Sequence, residues 1–417
     1  MDIYKKRRSS LIELIKAEYG TSGLLVLFAN FEQDSRSFLQ ESNFFYLTGI
    51  NEPGTVIASN FDGKADLYVA DTGNLRSKWV AGAVTTDMAP KLGLDAIKYL
   101  GQQITGYEQN LFITKQNYAN LIDVLKQTVI SGDKIFTVSK QKLEQSFVLE
   151  QLSKFIPDLQ AALVDVSDLI AKLRRVKSDI EIDYLCQAID VTGMAQEAAA
   201  QSISAGALEC EVQAAIEFVM TASGNSVAFP SIVGSGKNST ILHYVQNDAV
   251  LQKNDLVVID IGARCKNYCA DITRTYPVSG KFTKRQREIY ELVLEAQEYI
   301  AEKAQPGIWI VNKEHPEKSL LHLAREFLRK KGDYDQYFIH GIGHYLGLDV
   351  HDVGSYATPL QDGDVITIEP GIYIPEENLG VRIEDNYLIT AKGAICLSDQ
   401  IAKQADEIER LVSTRSE

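Results

Sequence analysis

The stretch LVVIDIGARCKNYCADITRTYPV, residues 256–278, limits the possible folds more than any other part of this chain. Two apolar, β-branched runs flank a turn-like centre, Arg264-Cys265-Lys266-Asn267, and that pattern predicts an antiparallel hairpin. The expected register sets Asp260 directly opposite Asp271, on one face and about 5 Å apart. Two ionised carboxylates at that spacing repel each other, and a bound cation removes the conflict. A register shifted by one residue, or one aspartate turned to solvent, would instead separate them.

A second stretch repeats the theme. In DVITIEPGIYIPEENLGVRIEDNYLIT, residues 364–390, two strand-like runs flank a Pro/Glu/Asn/Gly loop. Glu369 ends the first run, just before Pro370-Gly371. In the second run Arg382, Glu384 and Asn386 alternate with Val381, Ile383 and Asp385. A glutamate in a β-branched strand is unusual because burying an unpaired carboxylate is expensive. A surface ladder of Arg382 and Glu384 would account for Glu384 but poorly for Glu369. Between the two hairpins lies YFIHGIGHYLGLDVHDVG, with His340, His344 and His351 among closely spaced glycines. His243 follows the Gly-rich FPSIVGSGKNS. Neutral imidazole is the commonest nitrogen ligand for divalent transition metals.

Four carboxylates and at least one imidazole balance two divalent cations. Oxygen-rich ligation with one nitrogen suits Mn²⁺, and Co²⁺, Fe²⁺ and Zn²⁺ also fit. Two such ions sharing carboxylates would hold a water between them and lower its pKa. Cys265 and Cys269 sit near the first turn, but their spacing is not that of a zinc pair.

Length and charge bound the rest. The chain has 417 residues, too many for one ordinary core, so two domains are expected. A net charge of −14 excludes a basic nucleic-acid surface. No run approaches the ~18 apolar residues of a membrane span. At the start, Leu11, Ile12, Leu14 and Ile15 recur at helical spacing rather than forming a signal peptide. The five cysteines form no framework of paired spacings, so a reducing, cytoplasmic location is expected.

The first part reads as α/β. GLLVLFAN, NFFYLTGI, GTVIASNF, ADLYVA and KIFTVS are expected as strands, and residues 117–128 and 140–154 as helices. Two consecutive helices follow from about residue 166, with Ser178 as N-cap and Glu181 as its capping-box partner. The domain boundary is set at 168/169.

These blocks, in this order, resemble the "pita-bread" metallopeptidases of the aminopeptidase P and prolidase family. VVIDIGARCKNYCADITRTY resembles that family's first Asp hairpin, and HGIGHYLGLDVHD, IEPGIYI and VRIEDNYLIT resemble three further blocks. SNFFYLTGINEPG resembles the aminopeptidase P N-terminal domain, and LRRVKSDIEIDYLCQAI the helix that opens the catalytic domain. The resemblance implies a smaller N-terminal α/β domain, then a catalytic domain with a curved antiparallel sheet backed by helices. It implies metal ligation by Asp260, Asp271, His344, Glu369 and Glu384, with Asp271 and Glu384 bridging and Glu369 also acting as general base. It places His243 and His351 at the reacting centre, His340 around a proline ring, and Arg382 and Tyr373 in support.

The implied reaction is hydrolysis of the bond between an N-terminal residue and a following proline, in a homodimer or homotetramer. Proline lacks an N–H and has a fixed φ, so it escapes general peptidases. A prolidase, cutting Xaa-Pro dipeptides only, shares the same metal pattern. A non-catalytic binding protein on this fold would be expected to have lost ligands. Two departures from the family pattern stand out: Phe38-Leu39-Gln40 where many relatives have an arginine, and a short loop between Glu369 and Glu384.

Overall fold

The structure is a computed structural model that describes residues 2–20, 22–33, 37–81, 84–106, 112–139 and 143–413. Its contacts divide the chain into two units, residues 1–174 and 175–417.

The first unit opens with the helix Asp2–Tyr19, which buries Leu11, Ile12 and Ile15 as their spacing predicts. Among the described residues its sheet has six strands: β1 (Gly23–Phe28), β2 (Val56–Asn60), β3 (Ala65–Val69), β4 (Ala96–Tyr99), β5 (Lys134–Thr137) and β6 (Leu163–Asp165). Their order is β4-β3-β2-β1-β5-β6, antiparallel among β1, β2 and β3 and parallel elsewhere. The two short edge strands, β4 and β6, carry no alternation that announces them.

One expectation fails here. NFFYLTGI is not a strand, because Ser42–Thr48 is a helix. The Glu41 carboxylate accepts the Phe44 amide at 2.7 Å, and Gly49, at φ 67°, closes the far end. All seven helical residues are buried, so no polar face shows the helical period. The helix expected at 140–154 is observed as Leu143–Ser153, and residues 140–142 lie outside the described residues.

The second unit contains β7 (Ser226–Val227), β8 (Ile232–Ser235), β9 (Leu256–Ile261), β10 (Ala263–Cys265), β11 (Tyr268–Cys269) and β12 (Ile272–Pro277), then β13 (Val365–Ile368), β14 (Gly371–Ile374), β15 (Leu379–Arg382), β16 (Asp385–Thr390) and β17 (Gly393–Cys396). Every pairing among these strands is antiparallel. Ser178 caps the helix Asp179–Ser202, with its amide donating to Glu181 at 3.1 Å. Among the described residues, no helix is long and apolar enough to cross a membrane.

Each carboxylate hairpin is one ladder with a break. The first turns at Lys266 and Asn267, both at positive φ (49° and 70°). That turn pairs Arg264 with Cys269 and, beyond the break, Asp260 with Thr273. The expected register is therefore corrected by two residues, because a two-residue turn of this hand needs a left-handed backbone that Asn267 tolerates well. A shift of two keeps each side chain on its original face, so Asp260 and Asp271 become diagonal neighbours. Asp271 stands opposite Gly262, where an added Cβ would lie 1.9 Å from the Ala270 carbonyl oxygen.

The second hairpin pairs β13 with β16 and β14 with β15 in a single register, broken where Glu369 faces Glu384. The two hairpins meet across β12, where the Glu384 amide donates to the Thr273 carbonyl at 3.1 Å. Asn386 closes the joint by donating to the Asp271 carbonyl at 2.6 Å.

A buried glutamine stands behind each break. Gln196, on the helix Asp179–Ser202, donates to the carbonyls of Ile259 and Ile272 at 3.2 and 2.9 Å. Gln297, on the helix Lys284–Lys303, donates to those of Ile368 and Ile383, both at 3.2 Å. These four isoleucines are sequence neighbours of Asp260, Asp271, Glu369 and Glu384. Each carbonyl beside a carboxylate thus has a helix side chain as donor.

Candidate metal centre

Asp260, Asp271, Glu369 and Glu384 face one cavity of about 330 Å³, which His243, His344 and His351 also line. His344 comes from the segment 342–346, which runs antiparallel to β13. The Thr367 amide donates to the His344 carbonyl at 2.9 Å, and the Glu369 amide to the Ile342 carbonyl at 3.0 Å. Gly343 is required there, because a Cβ would lie 2.0 Å from the Thr367 carbonyl oxygen.

Ligand atoms of Asp271, His344 and Glu384 lie within 4.8 Å of one another. His344 Nε2 is 3.4 Å from Asp271 Oδ2 and 3.6 Å from Glu369 Oε1. His344 Nδ1 lies 3.0 Å from the Tyr345 carbonyl oxygen, so that nitrogen carries the proton. The Nε2 lone pair is left facing the carboxylates. Asp260 Oδ1 and Asp271 Oδ1 are buried and, among the described residues, accept no hydrogen bond. An unsatisfied buried carboxylate oxygen is costly, and a cation is the partner that this donor set suits. Burial, then the charges of neighbouring carboxylates, push Asp271 and Glu384 well above the usual carboxylate range. Burial also raises Glu369, against the pull of His344 and Arg382. A group of acids that cannot all ionise alone is the electrostatic mark of a cation site.

Three of the other carboxylate oxygens are held by the protein. Thr273 donates to Glu384 Oε2 at 2.7 Å, and Thr367 to Glu369 Oε1 at 3.3 Å. Arg382 does not form a surface ladder with Glu384: both are buried, and its Nη2 donates to Asp260 Oδ2 at 2.7 Å. Arg382 Nη1 donates to the Tyr373 hydroxyl at 2.9 Å, and that hydroxyl donates to His340 Nε2, also at 2.9 Å. The chain ends where His340 Nδ1 donates to the Gly341 carbonyl at 2.7 Å. Burial, helped by the Arg382 charge, pushes His340 down to about 4, so its imidazole is neutral.

His351 follows the same rule. Burial and the nearby His344 lower it, and their rings stand edge-on at 4.3 Å between centroids. The turn carrying His351 is tied down by a buried ion pair, Lys177 Nζ to Asp352 Oδ2 at 3.0 Å. A second lobe of the cavity is lined by His340, Tyr356 and Arg382 and shares the carboxylate centre.

Cys269 turns away from the cluster to the Leu348 carbonyl at 3.4 Å, with its thiol pushed up to about 12 by burial. Sequence reasoning missed Thr273, Thr367, Gln196 and Gln297 as parts of the site. The only local signal for the glutamines is a polar residue where the helical period asks for an apolar one.

The profile of metallopeptidase family M24 matches residues 183–391 of this chain. The chain belongs to the M24 metallopeptidases. The aminopeptidase P N-terminal domain profile matches residues 4–113 of this M24 metallopeptidase. The Xaa-Pro aminopeptidase of Escherichia coli is 32% identical, covering 98% of this chain and 97% of its own length. The Xaa-Pro dipeptidase of Pyrococcus furiosus is 44% identical over 234 residues, 55% of this chain and 64% of its own. Among solved structures, Escherichia coli aminopeptidase P with the inhibitor Pro-Leu superimposes with a TM-score of 0.82 at 28% identity, covering 99% and 98% of the two chains. Proline aminopeptidase P II of Yersinia pestis gives 0.81 at 28%, covering 99% of each.

Proposed function

We propose that this M24 metallopeptidase removes the N-terminal residue from peptides with proline in second position. One observation carries the reading: four carboxylates and one imidazole converge on a cavity, with two orphaned oxygens, in a chain whose full-length relatives are Xaa-Pro aminopeptidases.

Asp260, Asp271, His344, Glu369 and Glu384 would hold two divalent ions, and their oxygen-rich set suits Mn²⁺. Bound there, the ions supply the charge that lets the carboxylates ionise and the Lewis acidity that activates water at neutral pH. Glu369, raised by burial and partly open to the cavity, takes the proton from the attacking water. His351 and His243 face the same space and stabilise the oxyanion and orient the peptide. Neutral His340, held by Tyr373 and Arg382, forms the wall against which the proline ring rests.

A dipeptidase reading has its own support, the higher identity of the catalytic half to the Pyrococcus enzyme. The deciding assay compares Xaa-Pro with Xaa-Pro-Yaa peptides on Mn²⁺-loaded protein, with a chelator control. Chelator-sensitive cleavage of the tripeptide is expected. Cleavage of the dipeptide alone would make the protein a prolidase, and cleavage of neither would sink both readings. A cytoplasmic homodimer or homotetramer completes the proposal, and light scattering tests the assembly.

A further inference from the structure

Glu209 is fully buried, and among the described residues it has no ion-pair partner. It lies at the start of the helix Glu209–Ala222, away from the carboxylate cluster. Such a charge is retained only if donors replace the lost water, and five do. Oε1 accepts from the Ser235 amide and hydroxyl, both at 2.7 Å, and from Asn238 Nδ2 at 3.3 Å. Oε2 accepts from the Ala249 amide at 2.9 Å and from the Tyr244 hydroxyl at 2.8 Å, whose single proton it shares with Asp248 Oδ1 at 2.9 Å. All five donors lie between residues 235 and 249, the segment that carries His243.

Within that segment the side chains divide. His243 and Val245 line the metal cavity, while Tyr244 and Asn247 are buried. Asn247, at φ 49°, anchors the other end, accepting from the Val233 amide at 3.0 Å and donating to the Ser231 carbonyl at 2.8 Å. His243 thus sits on a short span between Asn238 and Tyr244, both bound to Glu209, with none of its own backbone in a strand.

We infer that Glu209 is a positioning residue for His243, acting through Tyr244 and the Ser235–Ala249 segment to hold that imidazole at the rim of the metal centre. Only a carboxylate suits the hub, because it accepts at both oxygens and donates at neither. A glutamine would turn an NH₂ group toward donors. The inference rests on the proposed function for the role of His243, but the placement of the segment can be measured without it.

The experiment pairs hydrogen exchange with a double-mutant cycle on the full metal-loaded protein. Glu209→Gln, and the milder Tyr244→Phe, are expected to speed amide exchange in 235–249 and leave the rest of the second unit unchanged. Each is expected to lower kcat/KM for an Xaa-Pro-Yaa peptide, Glu209→Gln by about 10–100-fold. Neither should lower it further in a His243→Ala background. Unchanged exchange in 235–249, acceleration spread over the whole unit, or losses that multiply with that of His243→Ala would overturn the inference. A wild-type protein inactive on every Xaa-Pro peptide would sink the functional reading, while the exchange data would still decide the hub.

Discussion

Glu369 and Glu384 face each other across the second hairpin at the one place where its ladder is interrupted, between the Ile368–Asp385 and Gly371–Arg382 pairs. Two acids in that relationship cannot both ionise in a dry hairpin without a cation, yet their surroundings differ. Glu384 is 2% exposed and held by Thr273, whereas the Glu369 side chain is 18% exposed and opens to the cavity. The open acid has room for a water, and the closed one is suited to ligation alone. Glu369→Gln should therefore keep at least one bound ion while turnover falls by about 10²–10⁴-fold. Asp271→Asn should lose metal outright. Metal content by mass spectrometry beside kcat separates the two, and full activity in either variant would remove that residue from its role.

Metal should stabilise the fold in a pH-dependent way. Burial and mutual repulsion raise Asp271 and Glu384 in the folded state. Below the unfolded carboxylate values both states are protonated, and no penalty arises. As pH rises above about 4.5 the unfolded chain releases those protons first, so the metal-free fold loses stability until the folded values are passed. An ion at a hundred times its Kd restores about 2.7 kcal/mol. Thermal melts should show the chelated protein falling away from the Mn²⁺-loaded one as pH climbs toward neutrality. Parallel curves would contradict the shifts.

Gln297→Ala would leave the Ile368 and Ile383 carbonyls without their donor and Lys403 Nζ, 3.2 Å from Gln297 Oε1, without that acceptor. A buried group left unsatisfied costs about 1–3 kcal/mol. The urea midpoint should drop accordingly, and metal affinity should weaken by about 10–100-fold because the break carrying Glu369 and Glu384 loses its backing. Gln196→Ala should do the same for the first hairpin. A stability loss with unchanged metal affinity would make the glutamines packing groups only.

Arg382 serves Asp260 at 2.7 Å, Tyr373 at 2.9 Å and Thr273 at 3.2 Å from one guanidinium. A lysine offers a single point charge and cannot span three partners. Arg382→Lys should cut kcat/KM by about 10–100-fold, and Tyr373→Phe should do less. Wild-type kinetics in Arg382→Lys would show that the fork is dispensable.

The chain's local chemistry was readable wherever neighbours in sequence are neighbours in space. Ser178 with Glu181, the apolar face of the first helix, and the two carboxylate hairpins all follow from short-range pattern. Even a register misjudged by two residues kept Asp260 and Asp271 on one face, since the side-chain period of a strand is two. The helix Ser42–Thr48 was not readable, because complete burial erases the period that distinguishes helix from strand.

What sequence by itself determined is therefore the inventory: which acids and imidazoles are set in apolar strands or glycine-rich turns where only a cation or a reaction justifies them. Only the tertiary structure decided the assembly. It joined β12 to the second hairpin, gave Arg382 to Asp260 instead of Glu384, and placed Gln196, Gln297 and Glu209 behind the site. Those contacts link residues up to 122 positions apart. Their reason is the satisfaction of buried carbonyls and charges, which no local period encodes and which exists only once the elements have packed.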